Sequence, residues 1–290
     1  MVYWEDPEDL TLCKWDGEAF DLNKAEIIRM SHKPVDACYH EETHRLAWIE
    51  KQGQVSNVMS TQIGEHPSAL IQYQTPRADF DQLLFSKEGK YLLATKATNI
   101  QVWETETGKS LSEWNDEIIQ MVFAEGGMLI LGVLRPQERH VLQFRNLNTP
   151  SADPIEYPGM FFPAHLSLSP DGSTVAFATG GGGIELYHTD GSFIKSFQAH
   201  LNAAASVTFS PDGTRLATTF GGKEALKIWN VETTQELLTL KGTGSYLGKV
   251  YWTEDGKSIL VGDPYQSWTA PDWKDIQQSK IRKQLEGIPQ

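Results

Sequence analysis

The chain has 290 residues, a formal net charge of -13 and a pI near 5.1, which argues against a general attraction to nucleic acid or to an anionic membrane. Its acidic start, "MVYWEDPEDL", does not resemble a signal peptide, and no apolar run of about 18 residues predicts a membrane span. The two cysteines, Cys13 and Cys38, are too few for a disulfide framework, so reduced thiols and a cytoplasmic location are expected.

The N-terminal segment up to Lys33 contains two alternating apolar runs, "LTLCKW" and "EIIRM". Alternation of this kind predicts two β-strands, and the segment has room for part of another. It is too short for the four strands that later segments carry. We therefore expect the first strand of this unit to be supplied from elsewhere.

The stretch "CYHEETHRLAW", Cys38 to Trp48, contains HExxH, which on a helix directs two histidines and a glutamate to a zinc-bound water. The stretch also aligns with a later segment, "FSPDGTRLA", in which a tight turn occupies the equivalent positions. In a turn the imidazoles of His40 and His44 need not converge, and neither a third ligand nor a flanking helix is apparent. A surface turn is the favoured interpretation, and a zinc site is the alternative.

A β-hairpin motif recurs with a period of roughly 42 residues. Each copy has an alternating apolar run, a turn rich in Pro, Asp and Gly, and a second run of β-branched and aliphatic residues. The copies are "LLFSKEGKYLLAT" from Leu83, "MVFAEGGMLILG" from Met121, "LSLSPDGSTVAFAT" from Leu166, "VTFSPDGTRLATT" from Val207 and "VYWTEDGKSILVG" from Val250.

A second strand pair follows each hairpin, as in "IQVWETETGKSLSEW" and "LKIWNVETTQELLTL", so each unit has four strands. The positions that end the third strands predict seven units: Trp15, Met59, Trp103, Phe144, Tyr187, Trp229 and Trp268. Units of this kind predict β-propeller blades, because a sheet with two apolar faces must stack against neighbours. The predicted fold is all-β, a seven-bladed propeller of four-stranded antiparallel blades.

The chain resembles the WD-repeat propeller family over roughly Leu10 to Trp268. The residues that carry the resemblance are Trp15-Asp16, Trp103-Glu104 and Trp229-Asn230 for the WD dipeptide, and Ser31-His32 and Ala199-His200 for the family's Gly-His. The family's buried Asp is absent, since Lys223 stands at its position in the best repeat. The internal tetrad of His, Ser or Thr, Asp and Trp that the resemblance implies is therefore incomplete.

The C-terminal segment "PDWKDIQQSKIRKQLEG" predicts a capped helix, with Asp272 before a run of helix formers and Gly287 at its end. We therefore expect a single propeller over residues 1–271 and a helical tail over residues 272–290. The tail also looks like the ends of bacterial WD-repeat regions that follow a regulatory domain.

Two further motifs predict structure rather than chemistry. "TGGGGI", Thr179 to Ile184, lacks the Lys-Ser/Thr pair and the following helix of a phosphate loop, so a hairpin turn is expected. His165 and His200 precede first strands in "PAHLSLS" and "QAHLNAAA", which indicates a structural role for both.

Loops that depart from the repeat are the candidate binding surface, because rigid scaffolds carry binding groups on loops and interfaces favour aromatics and Arg. Three loops stand out: "YQTPRADFD", "LRPQERH" and "EYPGMFFPAH". The partner-binding residues proposed from sequence are Arg77, Arg135, Arg139, Phe161, Phe162, Phe220, Tyr246 and Tyr265. The alternative is that Phe161 and Phe162 fill space under their own loop and the arginines are solvated.

The resemblance implies a non-catalytic scaffold that binds a protein or peptide, with no catalytic residue, no metal and no cofactor assigned. Neither nucleic acid nor a membrane is expected as a partner, and the sequence does not specify an oligomeric state. Two alternatives stay open. One is a propeller enzyme, a hydrolase or lyase with a central-channel site, and the other is a sensor or docking segment of a larger regulatory protein.

Overall fold

The computed structural model describes residues 2–3, 9–12, 26–29, 34–52, 55–63, 71–73, 80–96, 98–135, 141–158, 163–220, 226–241, 248–261 and 266–270. The chain divides into two compact units. The first unit comprises Met1–Pro163 and His188–Ser192, and the second comprises Ala164–Tyr187 and Phe193–Gln290. No helix in the described part of the chain is long and apolar enough to cross a membrane.

In its described residues, the first unit contains four antiparallel sheets, each built from strands that are consecutive in the chain. Sheet 1 is β1 (Val2–Tyr3), β2 (Asp9–Leu12) and β3 (Glu26–Arg29); sheet 2 is β4 (Pro34–His40), β5 (Arg45–Gln52), β6 (Val55–Gln62) and β7 (Ile71–Tyr73). Sheet 3 is β8 (Gln82–Phe85), β9 (Tyr91–Lys96), β10 (Asn99–Glu104) and β11 (Ser110–Asn115). Sheet 4 is β12 (Glu117–Ala124), β13 (Met128–Leu134), β14 (Val141–Asn146) and β15 (Ile155–Pro158), with a short 3-10 helix at Glu125–Gly127.

The core of the first unit lies between neighbouring sheets, as their double-sided apolar patterns require. Between sheets 2 and 3, the fully buried Trp103 packs against the rings of Tyr73 and Phe80, with centroids 5.4 and 6.1 Å away. Between sheets 3 and 4, Leu93 and Leu131 belong to one buried cluster. Each sheet thus shields from water an apolar face of its neighbour.

Among the described residues, the second unit contains three further sheets of consecutive antiparallel strands, except that the strand-end residues Pro163 and His188 of sheet 5 belong to the first unit. Sheet 5 is β16 (Pro163–Leu168), β17 (Thr174–Thr179), β18 (Gly183–His188) and β19 (Phe193–Gln198). Sheet 6 is β20 (Ser206–Phe209), β21 (Arg215–Thr219), β22 (Leu226–Asn230) and β23 (Glu236–Leu240); sheet 7 is β24 (Val250–Trp252), β25 (Ser258–Val261) and β26 (Gln266–Thr269).

The hairpin turns between the first and second strands of sheets 5, 6 and 7 share one hydrogen-bond pattern. In sheet 6, the Ser210 hydroxyl donates to Asp212 Oδ1 at 2.6 Å, and the Gly213 amide donates to the Ser210 carbonyl oxygen at 2.8 Å. The same bonds recur in Ser169–Thr174 and in Thr253–Ser258. Gly213 has φ of +70°, a conformation that favours glycine. The repeated letters therefore encode a repeated turn.

These turns predict a loss of stability in acid. The hydroxyl donors and the amides that follow hold the pKa values of Asp171, Asp212 and Asp255 below the ordinary value of 3.8. A depressed folded-state pKa contributes stability that is present above the unfolded pKa and is lost as pH falls through the folded one. We expect the urea concentration at the unfolding midpoint of the wild type to decrease as the pH is lowered below about 4. At pH 5 the triple variant Asp171→Asn/Asp212→Asn/Asp255→Asn should have a lower urea midpoint than the wild type. Its midpoint should then decrease less as the pH is lowered. An equal decrease in both proteins would contradict the assignment of the acid sensitivity to these three carboxylates.

The architecture agrees with the predicted all-β class and repeated antiparallel units. Seven sheets are present among the described residues, and sheets 1 and 7 show three strands each there. Six of the seven predicted strand-end positions lie in third strands: Met59, Trp103, Phe144, Tyr187, Trp229 and Trp268. Trp15 and the predicted helix over 272–290 lie outside the described residues. Whether residues 1–271 form a single domain stays a prediction.

Candidate interaction face

The connection between sheets 5 and 6, residues 199–205, presents a leucine to solvent. Leu201 is 90% exposed, whereas large aliphatic side chains are among those most often buried. The backbone beneath it is fixed, because the amides of Ala199 and His200 donate to the Gly182 carbonyl oxygen at 2.9 and 3.0 Å. Leu201 therefore stands on an anchored segment.

The far end of the same connection is tied to both neighbouring sheets. The Ala204 amide donates to the Thr179 carbonyl oxygen of β17 at 3.1 Å, and the Ala205 amide donates to the Thr219 carbonyl oxygen of β21 at 2.8 Å. Both ends of the connection are thus held by backbone hydrogen bonds. Such a connection loses less conformational entropy on binding than a loose one.

A buried side-chain network supports this connection from below. The Trp229 indole N–H donates to Thr218 Oγ1 at 2.9 Å, and His200 Nε2 lies 2.9 Å from the same oxygen. All three side chains are buried. These are three of the four members of the tetrad that the resemblance implies, joined despite the missing Asp. Lys223, at the position of that Asp, lies outside the described residues.

Of the eight partner-binding residues proposed from sequence, the structure describes Arg135 and Phe220. Phe220 belongs to the second unit, where its ring is half-buried 6.0 Å from the His200 imidazole. The other six lie outside the described residues: Arg77, Arg139, Phe161, Phe162, Tyr246 and Tyr265.

Arg135 belongs to the first unit and is engaged with its own sheet. Its guanidinium donates to both carboxylate oxygens of Glu156, at 3.2 and 2.8 Å, and holds the pKa of Glu156 below its usual range. Glu156 also accepts from the buried Gln143 at 2.8 Å. A partner that used Arg135 would first have to compete with this bidentate pair.

The HExxH stretch forms a turn, as predicted. His40 ends β4, residues 41–44 turn, and Tyr39 pairs with Leu46 as Phe209 pairs with Leu216. His40 Nε2 donates to the Lys87 carbonyl oxygen at 2.7 Å, whereas His44 Nδ1 lies 2.9 Å from the Tyr39 hydroxyl. Within the described ranges, no three His, Cys, Asp or Glu side chains are grouped to hold a metal ion.

The glycine run is the predicted hairpin turn between β17 and β18. Gly182 has φ of +85°, and its carbonyl oxygen accepts the two amides that anchor the connection to sheet 6. The Gly183 amide donates to Thr179 Oγ1 at 3.1 Å. The glycine run therefore has a structural role, because its turn is hydrogen-bonded to the segment that carries Leu201.

The two histidines have structural partners but are not equivalent. His165 lies within β16, and its Nδ1 donates to the Val207 carbonyl oxygen at 3.0 Å. Burial lowers its pKa. His200, in contrast, lies in the connection before β20 and contacts the Thr218 hydroxyl. The equivalence suggested by their sequence contexts is wrong, because His165 lies within a first strand, whereas His200 lies in the connection before one.

Sequence reasoning missed Leu201 as a candidate. The leucine stands directly after Ala199-His200, which the resemblance had singled out. A large aliphatic residue next to a recognised turn motif was the available signal. Its exposure, however, depends on how the connection crosses between two sheets.

Comparisons with known proteins bear on the fold. No family model matches the chain. An uncharacterized WD repeat-containing protein of Synechocystis sp. is 27% identical over 99 residues, which span 34% of this chain and 28% of that protein. A chain in the crystal structure of the mitotic checkpoint complex aligns over 75% of this chain and 68% of its own length, with 15% identity and a TM-score of 0.54. The predicted propeller fold and the resemblance to WD-repeat proteins are confirmed.

Proposed function

We propose that this protein is a non-catalytic, cytoplasmic scaffold that binds a protein or peptide partner through its loop face. In each sheet, we call the loop face the end that carries the connection from the preceding sheet and the hairpin between the second and third strands. The observation that carries the proposal is Leu201, 90% exposed on a connection anchored at both ends. An exposed apolar side chain on an anchored segment can be removed from water by a partner, and the segment loses little conformational entropy when it binds.

The comparisons support the proposal at the level of class. The Synechocystis relative is described as WD repeat-containing, and the solved neighbour is described as a complex. The matched segment of the relative spans about a quarter of its length, so its whole-protein role is not transferred. Phe161 and Phe162, proposed from sequence, stand between β15 and β16 in the chain, as Leu201 stands between β19 and β20.

The test compares affinity-purified partners of the tagged wild type with those of Leu201→Asp and of Phe161→Ser/Phe162→Ser. The matched control is Leu237→Asp, because Leu237 is 52% exposed but lies on β23 and not on this connection. Circular dichroism and thermal unfolding would show that each variant is folded. We expect a specific partner to be lost with Leu201→Asp and kept with Leu237→Asp. Full recovery of all partners by both loop-face variants would refute the proposal.

A further inference from the structure

A groove lies at the other end of sheets 5 and 6, between their first hairpin turns, and we call it the turn groove. It has two adjoining compartments of about 550 and 360 Å³, which share the residues Thr174, Gly213, Thr214 and Val231. Ser169–Thr174 joins the first two strands of sheet 5, whereas the Gly182 hairpin joins the second and third. The turn groove and the loop face are therefore at opposite ends of the strands.

Part of the lining of the turn groove is apolar. Phe209 and Leu186 line it from the buried core, and Ile194 and Val231 line it as partly buried side chains packed on the same cluster. Gly213 lines both compartments, and a Cβ there would meet only Pro170 Cδ, at 3.7 Å. An aliphatic side chain placed in the turn groove would remove apolar surface, its own and that of the lining, from contact with water.

The rim of the turn groove is mainly acidic. Its charged lining residues are Asp171, Asp212 and Glu232, with Lys195 as the opposing charge. The Lys195 ammonium donates to the Glu232 backbone carbonyl oxygen at 2.5 Å, and this hydrogen bond holds the ammonium beside Glu232.

The two turn carboxylates are held in place and stay ionised at neutral pH. Among the described residues, the donors to Asp171 are the uncharged hydroxyls and amide of Ser169 and Ser173. Asp212 additionally accepts from Arg215 at 3.3 Å, while the Arg215 guanidinium stacks 5.1 Å from the Trp252 ring centroid, outside the lining. Of these two carboxylates, Asp171 is therefore the one whose charge these contacts compensate less.

We propose that the turn groove binds an extended basic segment of a partner protein, with an arginine or lysine against Asp171 and Asp212 and an adjacent aliphatic side chain on Phe209 and Val231. Charge complementarity selects this occupant, since the lining places three carboxylates against the one ammonium of Lys195. The fixed turns present the carboxylates without prior rearrangement. This site is distinct from the loop face and does not depend on it.

The experiment measures fluorescence anisotropy of two labelled octapeptides, one alternating arginine and leucine, the other alternating glutamate and leucine. We expect saturable binding of the arginine peptide and about tenfold weaker binding to Asp171→Asn/Asp212→Asn. Asparagine keeps the Oδ1 acceptor and removes the charge. Asp255→Asn is the matched control, because it makes the same change in the equivalent turn of sheet 7, outside the turn groove.

Amide chemical shifts locate the binding. Shifts induced by the arginine peptide should concentrate at Thr174, Gly213 and Thr214, and Leu201→Asp should leave this binding unchanged. The proposal is overturned if the glutamate peptide binds equally well, if Asp255→Asn weakens binding as much as the double variant, or if the shifts lie elsewhere. Loss of binding in Leu201→Asp would place the peptide on the loop face instead.

Discussion

Replacing Gly182 with alanine is expected to lower the free energy of unfolding of the second unit by about 3 kcal/mol. Gly182 has φ of +85°, where an alanine is strained, and a Cβ there would lie 2.1 Å from the His200 carbonyl oxygen. Backbone rather than a flexible side chain stands in the way. The connection that carries Leu201 would therefore have to move, and its hydrogen bonds to Gly182 would weaken.

The matched control for this prediction is Gly213→Ala. Gly213 also has positive φ, +70°, but its Cβ would meet only Pro170 Cδ, at an ordinary 3.7 Å. This variant isolates the backbone cost of about 1 kcal/mol. Urea unfolding followed by circular dichroism gives the free energy of unfolding of both variants. Hydrogen exchange at the amides of Ala199 and His200 shows whether their hydrogen bonds to Gly182 are weakened. Equal losses in the two variants would show that the clash does not matter.

Replacing Trp103 with alanine is expected to cost about 3 to 5 kcal/mol in the first unit. Trp103 is 0% exposed and packs between the rings of Tyr73 and Phe80. Removing the indole leaves a cavity that two other large buried side chains line. The neighbouring sheets could close this cavity only by shifting towards each other, so most of the lost contact energy is not recovered.

Trp268→Ala serves as the comparison, because Trp268 occupies the equivalent third-strand position in sheet 7 but is only partly buried. Its loss should cost about 1 to 2 kcal/mol. Thermal and urea midpoints measured by circular dichroism avoid the change in tryptophan fluorescence. Similar losses in both variants would mean that the repeat position, rather than the burial, sets the energetic contribution.

The strands could be predicted from sequence because their signals are local. Alternating apolar runs and the Ser-Pro-Asp-Gly turns define strand ends directly, and their repetition corrected the reading of HEETH, whose own letters favour a helix. The alignment of Tyr39 with Phe209 gave the register that the structure shows. A repeated unit thus supplied evidence that a single short motif could not.

The candidate site could be predicted only in part, because exposure depends on contacts between segments far apart in the chain. Nothing in four successive glycines indicates that Gly182 in particular accepts the amides of Ala199 and His200. Likewise, Arg135 looks free in sequence, and its bidentate partner Glu156 lies on a different strand. The turn groove is formed by two turns from separate sheets, so neither turn predicts it alone.

Because every described sheet joins strands that are consecutive in the chain, each sheet can form with few distant pairings. Loop closure over short separations costs little entropy, and low contact order speeds folding. During synthesis, a sheet such as β20–β23 can therefore pair soon after its last strand leaves the ribosome. Its second apolar face then stays open until the following sheet is made. The pace of translation between successive sheets, rather than the pairing step, sets how long a nascent chain exposes aggregation-prone surface.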